Sequence, residues 1–159
     1  MLTIVTPTRE NLTFRQALLA DPATMAYNAP WFPPDGCIPF PESDWDAWLD
    51  TWTHHEPERF CGFLAEESGE FVGEVCWHEY GARMEIVVLD SHRGKGYGAE
   101  GLRLLIDRAF RHPEITSLTN EFEADRHAAV AVHRKLGFVP VREESGILTL
   151  KLTKNGGST

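Results

Sequence analysis

Three glycines alternate through Arg93-Gly94-Lys95-Gly96-Tyr97-Gly98, between an apolar run at Met84–Leu89 and a stretch of helical period that begins at Tyr97. Leu102, Leu105, Ile106 and Ala109 then fall on one helical stripe, and His112-Pro113 ends it. A chain with this feature must contain a strand–loop–helix unit whose loop reaches backbone conformations that side chains resist. Such a loop turns its amide N–H groups toward one point, and the positive end of the helix dipole adds to them. The result is an anion site suited to phosphate.

The surrounding pattern allows only one such crossover. Leu2–Thr6 has strand character, Leu12–Leu19 is helical, and Asp21-Pro22 starts a short helix through Met25. Asn28 to Pro41 carries five prolines among aromatics and reads as a covering loop. Trp45, Trp48, Leu49 and Trp52 form one stripe of a helix whose other faces carry Glu42, Asp44, Asp46 and Asp50. Arg59–Glu66 and Phe71–Tyr80 are strand-like runs joined by a Gly-containing hairpin, and Gly81-Ala82 turns the chain into Met84–Leu89. After the glycine loop and its helix come a strand near Ser117–Glu123, a helix over Arg126–Leu136 ended by Gly137, and strands near Phe138–Arg142 and Ile147–Leu152. The fold class is α/β (α+β): one mixed, mostly antiparallel sheet of six to seven strands flanked by helices. A single domain spans 1–153, with 154–159 as a flexible tail, and the length of 159 residues suits one core.

Composition narrows the function. With 15 basic and 24 acidic residues the formal charge is −9, which opposes nucleic-acid binding. The apolar runs are far shorter than the ~20 residues of a membrane span, and Met1-Leu2-Thr3-Ile4-Val5 lacks the marks of a signal peptide. Three cysteines, an odd number, fit a reducing compartment, so the cytoplasm is expected.

Gly96-Tyr97-Gly98-Ala99-Glu100-Gly101 satisfies the dinucleotide fingerprint G-x-G-x-x-G. The reading fails on context. A dinucleotide fold puts its first glycine at the strand end, whereas Asp90 to Lys95 intervene here, and the preceding 80 residues are not a βαβ series.

Arg93-x-x-Gly96-x-Gly98, after a strand and opening a helix, instead resembles the R/Q-x-x-G-x-G/A loop with which the GNAT N-acetyltransferase superfamily binds the pyrophosphate of acetyl-CoA. Asp125-Arg126-His127-Ala128-Ala129 through His133-Arg134-Lys135-Leu136-Gly137-Phe138 is similar to that family's D-N-x-x-A-x-x-x-Y-x-K-x-G-F segment. The resemblance implies a single GNAT domain with splayed strands at the coenzyme cleft. It implies acetyl-CoA as co-substrate, the backbone of Ile86, Val87 and Val88 on the pantetheine arm, and the amides of Gly94, Lys95, Gly96, Tyr97 and Gly98 on the pyrophosphate. Arg93 and Lys95 are placed to add ion pairs, and Arg126 stands where the family has asparagine. His133 stands where many members have the tyrosine that protonates the departing thiolate. The resemblance implies that it replaces that tyrosine, although His133 also shares a helical stripe with Ala129 and Leu136. A homodimer is common in the family.

Freeing the acceptor amine needs a base. Glu85 sits in an otherwise apolar strand, where a charge needs a reason, and Glu121 lies on the strand flanking the cleft. By alternation Glu74, Cys76, His78 and Tyr80 share one sheet face. Cys76-x-His78 beside Glu74 hints at a metal, but no second ligand pair has zinc spacing, so no metal is assigned. Cys61 and Cys76 read as inert core residues, which disfavours an acetyl-cysteine route, and His54-His55-Glu56 reads as an exposed turn. The expected activity is acetyl transfer to a primary amine, small-molecule or peptide, by direct attack in a ternary complex. The alternative is a coenzyme-binding module without turnover. The acidic Trp helix suggests a cationic or amphipathic acceptor.

Overall fold

A computed structural model describes residues 1–154. The order is β1 (Thr3–Val5), α1 (Leu12–Leu19), α2 (Pro22–Met25), α3 (Trp45–Thr53), β2 (Phe60–Ala65), β3 (Phe71–His78), β4 (Arg83–Val88), α4 (Tyr97–Phe110), β5 (Ser117–Glu123), α5 (His127–Lys135), β6 (Val139–Glu144) and β7 (Ile147–Thr153). β1-β2-β3-β4 form one antiparallel sheet and β5-β7-β6 another. No helix is long and apolar enough to cross a membrane among the described residues.

β2 and the middle of β3 are buried without interruption, because helices and strands cover both faces of the first sheet. Leu64, Trp77 and Met84 pack with Leu102, Leu105 and Ala109 of α4 and with Leu118 and Leu150 of the second sheet. Phe63 and Val87 face the other way, against Leu12 and Leu18 of α1, Met25 of α2 and Trp45 of α3. The Trp stripe docks as its spacing requires: Trp45 and Trp48 pack around Phe40, and the Trp45 indole N–H donates to the Phe40 carbonyl at 3.2 Å. Asp21 precedes α2 with Pro22 in its first turn, as the Asp-Pro signal requires.

β4 and β5 lie side by side without pairing. Gly81 brings the two sheets together at one end. Its φ is +94°, and a Cβ there would run into the Ser117 carbonyl oxygen at the start of β5. The same turn corrects the expectation that the third strand reaches Tyr80. β3 ends at His78, and Glu79 and Tyr80 take positive φ values of 52° and 55°, so Tyr80 leaves the sheet face. Its amide donates instead to the Glu58 carbonyl at 2.9 Å. Glu56, expected in an exposed turn, receives the Arg108 guanidinium at 3.1 and 2.9 Å and approaches His112 at 2.6 Å. Lys154, expected to open the flexible tail, has its amide on the Thr116 carbonyl at 2.8 Å; the rest of that segment, 155–159, lies outside the described residues.

Under the first sheet, Arg15 of α1 donates to Glu74 of β3 at 2.7 Å, with side chains 14% and 1% exposed. The guanidinium also lies 4.6 Å from the Phe40 ring centroid and 4.3 Å from that of Trp48. A buried pair of this kind is costly to break on one side only. Glu74→Leu alone should lower unfolding free energy by about 3–5 kcal/mol, and Arg15→Met with Glu74→Leu should recover most of it. Equal losses in single and double variants by denaturant unfolding would count against the pair.

Candidate active site

Two cavities meet beside β4. The smaller, about 320 Å³, runs along Ile86, Val87 and Val88, past Arg93, Gly94, Gly96, Tyr97 and Gly98, to Ala129 and His133 of α5. The larger, about 570 Å³, is walled by Trp31, Phe32, Trp52, His78, Glu85, Glu121 and four arginines. Tyr27, Ile86 and Arg126 line both.

The smaller cavity joins a glycine loop to an open strand edge. Gly94 and Gly96 have φ values of +85° and +81°, and no heavy atom lies within 4 Å of where their Cβ atoms would be, so backbone conformation and not space selects glycine. The amides from Gly94 to Gly98 have no backbone acceptor among the described residues and sit at the N-terminus of the 14-residue helix α4. Among the described residues β4 is paired only with β3, so its other edge is open toward the cleft. These are the donors that a pyrophosphate and an amide-bearing chain require.

The loop's charges divide. Arg93 donates to the Thr24 carbonyl at 2.9 Å, to the Ala23 carbonyl at 3.4 Å and to Asp90 at 3.1 Å, so its guanidinium ties the loop to α2. Lys95 is exposed, with Nζ 5.8 Å from the Tyr97 ring centroid. Arg134 and Lys135 lie in the last turn of α5, outside the cavity lining.

His133 is 3% exposed, between the rings of Phe122 and Phe138 at 5.0 Å each. Its Nδ1–H donates to the Ala129 carbonyl at 2.8 Å. Asn120 accepts the Glu121 amide on Oδ1 and donates from Nδ2 to His133 Nε2 at 3.1 Å. The carbonyl can only accept, so this network assigns the neutral tautomer with its proton on Nδ1. Burial lowers the imidazole pKa, against the raising effect of the hydrogen bond to Ala129, and Arg126 adds a smaller lowering. The proton-donor role expected of His133 therefore has no free N–H behind it, and the helical stripe it shares with apolar residues is its structural explanation.

Glu85 opposes Cys76 across the β3–β4 ladder and faces the larger cavity. Its side chain is exposed to solvent on the cavity side, while the packed protein on its other sides still strips water from the carboxylate. This burial, with Glu74 next in effect, pushes its pKa up to about 6, against a lowering hydrogen bond from Tyr27. The Tyr27 hydroxyl donates to Glu85 Oε2 at 3.2 Å. Burial and then Glu85 hold that phenol well above its ordinary range. Tyr27 was not anticipated: no local motif marks it, and only the folded chain brings it to Glu85, 58 positions away. Glu121 lines the same cavity, with the Thr149 hydroxyl 3.5 Å from its carboxylate.

The acidic residues of the Trp helix lie elsewhere. Glu42 and Asp46 bond Arg9 at 2.9 and 3.2 Å on the outer surface, and only Trp52 of α3 lines the cavity. The walls instead carry Arg15, Arg83, Arg126 and Arg142 against Glu85 and Glu121. Cys61, Glu74 and Cys76 place ligand atoms within 4.8 Å of one another, but Arg15 already supplies the positive charge there. Burial raises both thiols, Cys61 to about 11.

A family model described as an acetyltransferase (GNAT) domain matches residues 2–139. No curated protein matches the chain. Among solved structures, a spermidine N-acetyltransferase from Vibrio cholerae in complex with CoA and spermine has a TM-score of 0.79 at 16% identity, covering 97% of this chain and 96% of that one. A protein from Acinetobacter baylyi ADP1 has a TM-score of 0.77 at 19% identity, over 98% and 94% of the two chains. A dodecameric structure of the Vibrio cholerae enzyme has a TM-score of 0.75 at 17% identity, over 99% and 96%. At these identities the likeness is one of fold.

The His133 assignment has a direct test. Its ring should titrate below the ordinary ~6.5 in NMR spectra, because the folded state resists the proton. The unfolded chain binds that proton, so the linked stability is present above ~6.5 and is lost as pH falls below it. A His133 ring titrating above ~6.5 contradicts the tautomer assigned here.

Proposed function

The chain belongs to the GNAT acetyltransferase family, and from that premise we propose that it transfers the acetyl group of acetyl-CoA directly to a primary amine held in the larger cavity. The observation that carries this reading is the junction of the two cavities at Tyr27, Ile86 and Arg126, with Glu85 on the acceptor side. In this mechanism the amides of Gly94 to Gly98 hold the pyrophosphate, and the open backbone of Ile86, Val87 and Val88 aligns the pantetheine arm. An amine arriving as ammonium loses a proton to Glu85, and its lone pair attacks the thioester carbonyl. Glu121 orients the amine from the opposite wall. Cys76 also faces the cavity, but its raised pKa keeps it as the thiol, so a direct transfer is favoured over an acetyl-cysteine intermediate.

The neighbours' names point to spermidine. In this cavity Arg15, Arg83 and Arg142 each have a carboxylate partner outside it, which leaves Arg126 facing Glu85 and Glu121. The rings of Trp31, Phe32 and Trp52 add apolar wall, which suits an amine carried on an apolar body. A protein consuming acetyl-CoA belongs in the cytosol on this reading. The homodimer is supported by β6, a strand at the sheet edge whose Val139 and Val141 are 56% and 53% exposed. A coenzyme-responsive module without turnover keeps the smaller cavity and leaves Glu85 unexplained; sustained release of free thiol with a panel of amines separates it from an enzyme.

Three outcomes are expected. Glu85→Gln should lower kcat by about 10²–10⁴-fold with little change in coenzyme affinity. With acetyl-CoA saturating, the wild-type rate should fall on the acid side with a midpoint near the pKa of about 6, and Tyr27→Phe should move that midpoint upward, because it removes a hydrogen bond that favours the carboxylate. An amine bearing an apolar group should exceed spermine in kcat/KM, and Trp52→Ala should reduce that preference. An unaltered acid limb in Glu85→Gln removes Glu85 as the base.

A further inference from the structure

Resting on that reading of the site, we propose that the Arg126 guanidinium receives the negative charge of the departing coenzyme thiolate, in place of a proton donor. Arg126 is the charged member of the trio at the cavity junction, where the thioester and the amine must meet. It differs from the other arginines of the larger cavity. Arg15 is bonded to Glu74, Arg83 to Glu79 at 2.9 Å, and Arg142 has Glu144 at 4.0 Å. Arg126 has no carboxylate or side-chain hydrogen-bond partner among the described residues. It is held instead by stacking, 5.0 Å from the Tyr27 ring centroid and 5.4 Å from that of Phe122. Stacking positions a guanidinium without neutralising it, and leaves its N–H fork free for an anion.

The alternatives for that charge are occupied. His133 holds its one proton against the Ala129 carbonyl, and the Tyr27 proton is directed to Glu85. Arg126 also stands at the N-cap of the nine-residue helix α5, so the helix dipole has the same sign. In the transfer step the C–N bond forms and the C–S bond breaks. Glu85 passes the ammonium's first proton to solvent through the open cavity before attack and takes the second as the C–N bond forms, and the sulfur keeps the electron pair as a thiolate opposite Arg126. Arginine stays protonated throughout the working pH range, so the thiolate leaves as an ion pair and takes its proton from water after release.

The test uses free CoA and no acceptor, so it is independent of turnover. The pKa of the bound CoA thiol is read from the pH dependence of its alkylation by iodoacetamide. Free CoA titrated in parallel supplies the reference. Bound to the wild-type protein it should titrate lower, with at least about tenfold more thiolate at pH 7 than free CoA. Arg126→Gln should return the titration to that of free CoA, and Arg126→Lys should retain part of the shift. A wild-type complex in which bound and free CoA titrate alike overturns the proposal, whatever the variants do. A shift that persists in Arg126→Gln overturns it as well. Absence of CoA binding overturns the coenzyme reading of the smaller cavity, and this inference with it.

Discussion

Two strands that run together without pairing organise this protein. β4 ends one antiparallel sheet and β5 begins the other, and each presents an edge of backbone donors and acceptors to the gap between them. Such groups cannot be left dry and unbonded without a penalty of order 1–3 kcal/mol each. The gap must therefore hold water or a guest that itself carries amides. Gly81 fixes one end of the gap, because only a residue without a Cβ lets the turn rest on the Ser117 carbonyl. The glycine loop follows directly from β4, so the phosphate-binding amides and the open strand edge share one continuous track.

Charge is distributed to match. The net −9 is carried on the outer surface, where Glu42 and Asp46 close on Arg9. Inside, a few charges are held in unlike settings. Arg15 and Glu74 neutralise each other in the core, Glu85 is half-way to losing its charge at mildly acid pH, and Arg126 keeps its charge between aromatic faces. In the proposed mechanism the same residue types thus serve as strut, base and anion receptor according to burial and partner.

Much of this was legible in the chain. Helix α1 and strand β5 have the bounds that periodicity assigned, and the glycine loop, the Trp stripe and Glu85 in its apolar strand stand where their patterns placed them. These are short-range signals, in which a residue and its neighbours three or four positions away decide the outcome. What was not legible depends on reach across the fold. Arg93 looked like a phosphate ligand, yet its long side chain finds the carbonyls of Ala23 and Thr24. The acids of the Trp helix looked like a pocket wall, because an amphipathic pattern says which face is apolar and not what the polar face meets. His133 drew attention through its place in a motif, whereas its chemistry follows from Asn120 and Ala129. Tyr27 had no signal, since its importance is created by a contact with β4.

The bond between Arg93 and α2 links two places that otherwise look separate. Its guanidinium belongs to the coenzyme loop, while the carbonyls it grips lie three and four residues before Tyr27, in the wall of the acceptor cavity. Asp90 accepts from the same guanidinium, and its amide donates to the Thr24 hydroxyl oxygen at 2.9 Å, which doubles the tie. On the proposed reading of the two cavities, the loop that holds the anion and the wall that holds the amine share one mechanical link through this arginine.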